Sequence, residues 1–567
     1  MINNLKHRFT LLMDYSLMRK QLSTIIHDML PNLLHFRYQD LGSHTLFYKY
    51  SRYILVSCGL SIILKMLFPI NVHSIQAAVG GKNEAVLVAD VFPGRGSSNP
   101  EGMKAAGTTL FFSADDGENG HELWKSEAPY ESAEMVMDIR EGEKGSNPSD
   151  FGVVGDVIFF AADDGESGLE LWKSEPPYEK AEQVADINAG SRGSKPAELK
   201  AIGNALFFTA EDERNGREIW TSSPPYTSGT TRRVTDIAFG SASANPQELI
   251  RRGWLLFFIA DDGTNRSELW AASPPYNGAA KVTDINPRGD AQIQGLEFAG
   301  ETLFFSAKDK VSGEELWKVS YPYQQGDVER VTDMSGDPTG LRPRDLKAVG
   351  ETLFFTGYHV LSGNELWKSV PPYDATNTVR VSDLYTGVLS SNPGNKTVIG
   401  ETLVFTANDG YAGEELYKIE PPYKDENIAR IGEVNEKGGS SAPAEMTVVN
   451  TTLYYTATDG GTFGREVYRA DPPYYQAEAV SDLNEEGGNS DPYGLMTIGR
   501  MLFFGGIAKR SGYEVWKIGG QYDYLLPNTG FAPGVETKVG EQPQERGPGC
   551  RAHRSRRLRV RGPAAGR

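Results

Sequence analysis

The 567-residue sequence predicts an all-β fold. The expected form is a β-propeller of four-stranded antiparallel blades, with nine repeats closed by the N-terminal strand. Three observations carry this expectation. One motif, Glu-Leu-Trp-Lys or a near copy, recurs at a near-constant period. Every period holds the same strand-like segments, separated by turn-forming residues. The most apolar of these segments does not alternate with polar residues, so both of its faces must be covered.

The repeat is read first from its aromatic residue, at Trp124, Trp172, Trp220, Trp270, Trp317, Trp367, Tyr417, Tyr468 and Trp516, spaced by 47 to 51 residues. An apolar triplet precedes each one, from Leu110-Phe111-Phe112 to Leu502-Phe503-Phe504. A Val-x-Asp-Ile-like segment follows each, with its acid at Asp90, Asp138, Asp186, Asp236, Asp284, Asp333, Asp383, Glu433 and Asp482. Asp-Asp-Gly-like turns such as Asp115-Asp116-Gly117 join the triplet to the Trp strand, and Pro-Pro-Tyr-like turns follow the Trp strand. Gly, Asn and Asp tolerate the positive φ of hairpin turns, and proline ends strands.

Each unit therefore holds four strands. Strand a precedes the Val-Gly turn, as in Leu346–Val349. Strand b is the triplet, strand c carries Glu-Leu-Trp, and strand d carries Val-x-Asp. Four antiparallel strands in about 48 residues make one propeller blade. Residues 86–518 open on a d-type strand, Val86–Val91, and close on a c-type strand, Tyr513–Ile518. The first strand is thus expected to complete the last blade and remove a free sheet edge. A split into smaller rings is the alternative.

Three regions follow: 1–80 as an export signal or membrane anchor, 86–518 as the propeller, and 519–567 as a tail without regular structure. In the first, Lys49 and Arg52 precede the apolar run Tyr53–Leu64, and the small residues Ala77, Ala78 and Gly80 follow. This reads as a signal that is either cleaved or retained as an anchor. Any membrane attachment is expected through this segment alone. Both cysteines, Cys58 and Cys550, lie outside the repeats, so the propeller must be held by packing and hydrogen bonds. The formal charge of −18 disfavours nucleic acid as a partner.

The order Asp-Asp-Gly-x-x-Gly-x-Glu-Leu-Trp-Lys-Ser, Val-x-Asp-Ile, Gly-Ser-x-Pro and Val-Gly-x-Thr-Leu-Phe-Phe resembles the bacterial ELWxxDGT repeat proteins over residues 86–518. The resemblance implies a large exported protein. The sequence departs from the pattern in one place: Pro-Pro-Tyr stands where the family has a second Asp-Gly-Thr turn. A second resemblance, at Leu526-Pro527-Asn528-Thr529-Gly530, is to the LPxTG sorting motif and to linkers that precede sortase-like domains. The apolar helix of a sorting signal is absent after it. The shift to Arg-rich sequence after Gln544 reads as a truncated or frame-shifted end.

Asp115, Asp116 and Glu122 are candidates for a calcium site, because carboxylates around a Gly turn offer hard oxygen ligands. The same residues also suit a plain hairpin turn. The copies at Lys308-Asp309-Lys310 and Gly357-Tyr358-His359 drop the ligands while the strands persist, which favours the turn. The repeated strand-d acid is expected to satisfy backbone amides at a blade corner, and the Trp to pack between blades. Arg251, Arg252, Trp254, Tyr358 and His359 depart from the pattern and mark a candidate ligand patch. His121 and His359 are the only histidines in the repeats, and no nucleophile elbow or phosphate loop occurs there. The expected function is an exported or cell-surface binding module for a protein or glycan ligand, serving adhesion, scaffolding or ligand recognition. The alternatives are a propeller hydrolase or lyase working at the central channel, or a propeller fused to a truncated sortase-like domain.

Overall fold

The computed structural model describes residues 85–528, except 265, 334–338, 436, 462–463, 485–487 and 521–522. The chain divides after Gly81, and all described residues belong to the second unit. The expected segment 1–80 lies outside them, as do residues 529–567 of the expected tail 519–567; the described part of that tail departs from the expectation by carrying a short 3-10 helix, Asp523–Leu525. Among the described residues no helix is long and apolar enough to cross a membrane.

Among the described residues thirty-six strands, β1–β36 in chain order, form nine separate four-stranded antiparallel sheets. Blade 1 consists of β2 (Glu101–Ala106), β3 (Thr109–Asp115), β4 (His121–Ser126) and β5 (Glu134–Met137), paired in that order. These are strands a to d. Each innermost strand neighbours the innermost strand of the next blade, and the last neighbours β2, so the blades close into one ring.

The non-alternating triplets explain the stacking. Phe111 packs toward blade 2 with Ile158 and Phe160. Leu110 and Phe112 point the other way and join Phe503 and Val515 of blade 9. All of these are buried. Every strand b thus feeds two cores at once, which accounts for consecutive large apolar residues. The c-strand aromatic lies over its own strand b. Phe355 and Trp367 stack with centroids 6.5 Å apart, and Trp367 Nε1 donates to Gly357 O at 3.1 Å.

The ring closes as the phase of the repeat requires. The order β1–β36–β35–β34 places β1 (Val86–Ala89) on β36 (Gly512–Ile518), followed by β35 (Met501–Ala508) and β34 (Tyr493–Ile498). Val86 faces Lys517 and Leu87 faces Trp516. The chain's first described strand is therefore the fourth strand of its last blade.

Because the strands alternate in direction, the turns sort onto two faces. One face carries the a–b turns and the c–d connections. The other carries the b–c turns and the loops from strand d to the next strand a. On the first face the Pro-Pro-Tyr copies share one geometry. Among the described residues eight X–Pro bonds are cis, and each following Tyr has φ between 55° and 64°. Tyr178 O–H donates to Asp156 O, on its own a–b turn, at 2.7 Å. Its ring stands edge-on to Phe111 of the preceding blade, 4.9 Å between centroids.

Candidate functional site

The second face is built around a buried carboxylate. The strand-c glutamates Glu122, Glu170, Glu218, Glu268, Glu315, Glu365, Glu415, Glu466 and Glu514 are all buried. Glu122 accepts from Ile139 N, Arg140 N and Ser146 N at 3.2, 3.1 and 2.7 Å, and from Ser146 Oγ at 2.6 Å. Its carboxylate gathers the loop that leads into blade 2. A buried carboxylate needs such donors, since leaving it unpaired is costly.

Each glutamate also takes a hydroxyl, and that hydroxyl comes from one of two places. In blades 1 and 2 it is a loop serine, Ser146 or Ser194. Blades 3, 4 and 5 carry Ala244, Ala291 and Leu341 at that loop position. There the hydroxyl comes from strand d, as Thr235, Thr283 and Thr332. Blades 6 and 8 use both sources. The amide-satisfying role expected of the strand-d acid falls mainly to this glutamate, although Asp90 Oδ2 does accept from Gly94 N at 3.2 Å. The strand-d acids lie outside it, and several pair with a base three residues earlier, as Arg330 with Asp333 and Arg430 with Glu433. Glu-Leu-Trp reads as a strand motif dominated by its Trp, so the glutamate is easily missed. The alternation of hydroxyl sources was the available signal.

The candidate calcium ligands are placed as follows. Asp115 Oδ1 accepts from Gly117 N at 2.7 Å. Asp116 Oδ1 accepts from Glu118 N and Asn119 N at 2.9 and 2.8 Å. Both cap their own turn, while Glu122 serves the following loop. Among the described residues no group of three or more His, Cys, Asp or Glu side chains could hold a metal ion.

The off-pattern residues divide between the two faces. Arg251, Arg252 and Trp254 belong to the a–b turn of blade 4, where Arg252 pairs with Glu301 and lies 5.2 Å from the Phe298 ring centre. Tyr358 and His359 lie on the b–c turn of blade 6, with the Arg342 guanidinium 5.4 Å from the Tyr358 ring centre. Of the sorting-like motif, Leu526, Pro527 and Asn528 are described; Thr529 and Gly530 lie outside. Asn528 Nδ2 donates to Val448 O at 2.9 Å, and Arg500 Nε donates to Pro527 O at 3.3 Å. This segment thus reaches the a–b turns of blades 8 and 9.

Two further features break the nine-fold symmetry. Lys396 occupies a strand-a position that is Leu or Met in seven blades and Phe151 in another. Its ammonium is buried against Asp345 Oδ2 at 2.9 Å, Thr356 Oγ1 at 2.8 Å and Pro393 O at 3.2 Å, and burial lowers its pKa. A cavity of about 430 Å³ opens at the outer edge between blades 3 and 4, lined by Trp270, Gly278 and the Arg233–Asp236 ion pair.

The b–c turn tips vary in character from blade to blade. The third tip residue is Glu118 in blade 1, Glu166 in blade 2 and Arg214 in blade 3, then Val311, Leu361 and Tyr411 in blades 5, 6 and 7. A rigid, internally satisfied frame carrying variable tips is the arrangement on which binding faces are built. These features define a closed nine-bladed propeller.

No family model and no curated protein matches the chain. Among solved structures it is similar to a prolyl endopeptidase, at 10% identity and TM-score 0.38, over 65% of this chain and 55% of that one. It is similar to a puromycin hydrolase at 13% identity and TM-score 0.36, over 64% of this chain and 59% of that one. The β-propeller domain of the Trilobed protease from Pyrococcus furiosus gives 12% identity and TM-score 0.33, over 59% of this chain and 98% of that domain. The chain thus spans little more than half the length of the two hydrolases.

Proposed function

We propose that the protein is an exported or surface-displayed binding propeller that presents its turn faces to a protein or glycan ligand. One observation carries this reading. The repeated buried polar groups are spent on joining loops to blades, and the differences between blades gather at exposed turn tips. Selection for a ligand would leave that pattern, since tips change without touching the core. The cavity at Trp270 adds a second concave place, with an aromatic ring and an ion pair suited to a sugar.

The test is a glycan array and a peptide-display selection on the purified chain, run beside an activity screen on polysaccharides and peptides. Saturable binding without turnover is the expected result. Turnover abolished by Lys396→Met or by neutralising channel carboxylates would establish the hydrolase or lyase alternative instead.

A further inference from the structure

We propose that the turn tips of blades 5 to 7 form one docking surface, and that its occupant is a polypeptide segment carrying apolar side chains among carboxylates. The proposal rests on the reading of the chain as a binding module and names where and what it binds.

The first support is exposure. Val311, Val360, Leu361, Val388, Leu389 and Tyr411 are 86, 57, 70, 69, 48 and 91% exposed. They occupy b–c turns and d–a loops, so all lie on the same face of the ring. Scattered exposed apolar residues are ordinary, but a contiguous group marks an interaction site.

The second support is contiguity. The loop between blades 5 and 6 touches both of its turns: Arg342 N donates to Glu314 O at 2.9 Å, and the Arg342 guanidinium sits on the Tyr358 ring. The loop between blades 6 and 7 does the same. Asn364 N donates to Ser390 Oγ at 2.9 Å, and a Cβ at Gly410 would fall 2.5 Å from the Tyr385 ring. Val388 and Leu389 are carried on this loop, between the tips at Leu361 and Tyr411.

Charge selects the occupant. The exposed cations this sector offers are Lys308, Lys310 and Arg342, while Arg344 is taken up by Glu314. Its acids are largely engaged: Asp309 and Asp333 with Arg330, Asp383 with Arg380, and Glu314 with Arg344. Asp409 caps its own turn through Tyr411 N and Ala412 N. On a chain of net charge −18, this sector offers apolar tips beside available cations. A partner with acidic and apolar groups is complementary to it. An anionic bilayer fits less well. The same face carries exposed Glu118 and Glu166 in blades 1 and 2, and a flat surface would press these against the headgroups.

The test uses the full chain and a displayed library of random peptides. Selection is expected to enrich sequences rich in Leu or Phe with Asp or Glu. An enriched peptide, made synthetically and labelled, should lose affinity about tenfold or more in the double variants Leu361→Ser/Tyr411→Ser and Lys308→Glu/Lys310→Glu. Glu166→Ser on the opposite sector should leave affinity unchanged. Thermal unfolding of each variant should match that of the unaltered protein, because the tips are exposed.

Peptides that bind both double variants as tightly as the unaltered protein would overturn the surface while leaving the binding-module reading intact. Failure to enrich any peptide, or enrichment of basic ones, would also overturn it. Co-sedimentation with phosphatidylserine vesicles, lost in the double variants, would give the surface to a membrane instead. Self-association lost in those variants would give it to a second copy.

Discussion

Blade 2 and blade 9 are built from the same parts, yet one joins neighbours in sequence and the other joins the ends of the propeller. In blade 2, Glu170 gathers Ile187, Asn188 and Ser194, all within 24 residues of it. In blade 9, Glu514 gathers Val91, Phe92 and Ser98, which precede it by 416 to 423 residues. The lysine latch repeats the contrast. Lys173 Nζ donates to Pro225 O of the next blade at 3.1 Å. Lys517 Nζ donates to Pro129 O and Tyr130 O of blade 1, at 2.7 and 2.8 Å. Tyr130 then stands edge-on to Phe503 at 4.9 Å, as Tyr178 stands to Phe111. Closure therefore needs no special device. It uses the ordinary blade contacts with their two sides supplied from opposite ends of the propeller, and it bears the entropy of the longest loop in the molecule.

The comparison breaks most sharply if the closing strand is removed. A chain starting after Ala89 should leave β36 as an open edge, with aggregation and a fall in melting temperature larger than any single substitution produces. Size-exclusion chromatography with thermal denaturation checks this. Glu514→Ala and Glu170→Ala each strand two or more backbone amides and a buried serine hydroxyl, so each should cost about 3 kcal/mol in denaturant unfolding. The two should differ in amide exchange: Glu514→Ala should release Val86–Ala89, whereas Glu170→Ala should loosen only the loop between blades 2 and 3.

A pH series sharpens the same point. Burial raises the Glu466 and Glu514 carboxyls from 4.5 to about 7, against hydrogen bonds that act the other way. Between those values the folded chain holds more protons than the unfolded one, so their contribution to stability falls as pH rises from about 4.5 to about 7. The fall should be smaller in Glu466→Gln and Glu514→Gln, read as melting temperature against pH. Lys517→Ala should cost about 1 kcal/mol by losing one latch, and Lys173→Ala a similar amount at an internal joint. The smallest effect is expected for Tyr130→Phe. It removes the bond to Thr108 O at 2.5 Å but keeps the ring on Phe503, and should cost at most about 1 kcal/mol in denaturant melts.

The ring, its four-stranded blades and its closure were legible in the sequence because each rests on periodicity. Leu110-Phe111-Phe112 reports two covered faces without any knowledge of the neighbours. The phase of Val86–Val91 against Tyr513–Ile518 reports the partnership of β1 with β36. The joints were not legible, because each is a relation between residues whose separation only the fold explains. Lys125 and Pro177, or Glu218 and Thr235, look unrelated along the chain, and their partners change identity between blades. The docking sector was hidden for the opposite reason. Val311, Leu361 and Tyr411 break the repeat at one turn position, and a single sequence gives such breaks the look of ordinary loop variation until the ring lines them up.

The closing joint also sets an order in time. Val91 and Glu514 stand 423 residues apart, so at synthesis rates of about 5–20 residues per second the first strand waits roughly 20 to 85 s for its partner to be made. Eight blades can form while it waits. β1 is the first strand of the propeller to leave the ribosome and the last to find its place, and until then it is an unsheltered edge. What guards that strand during synthesis decides how many chains become closed rings.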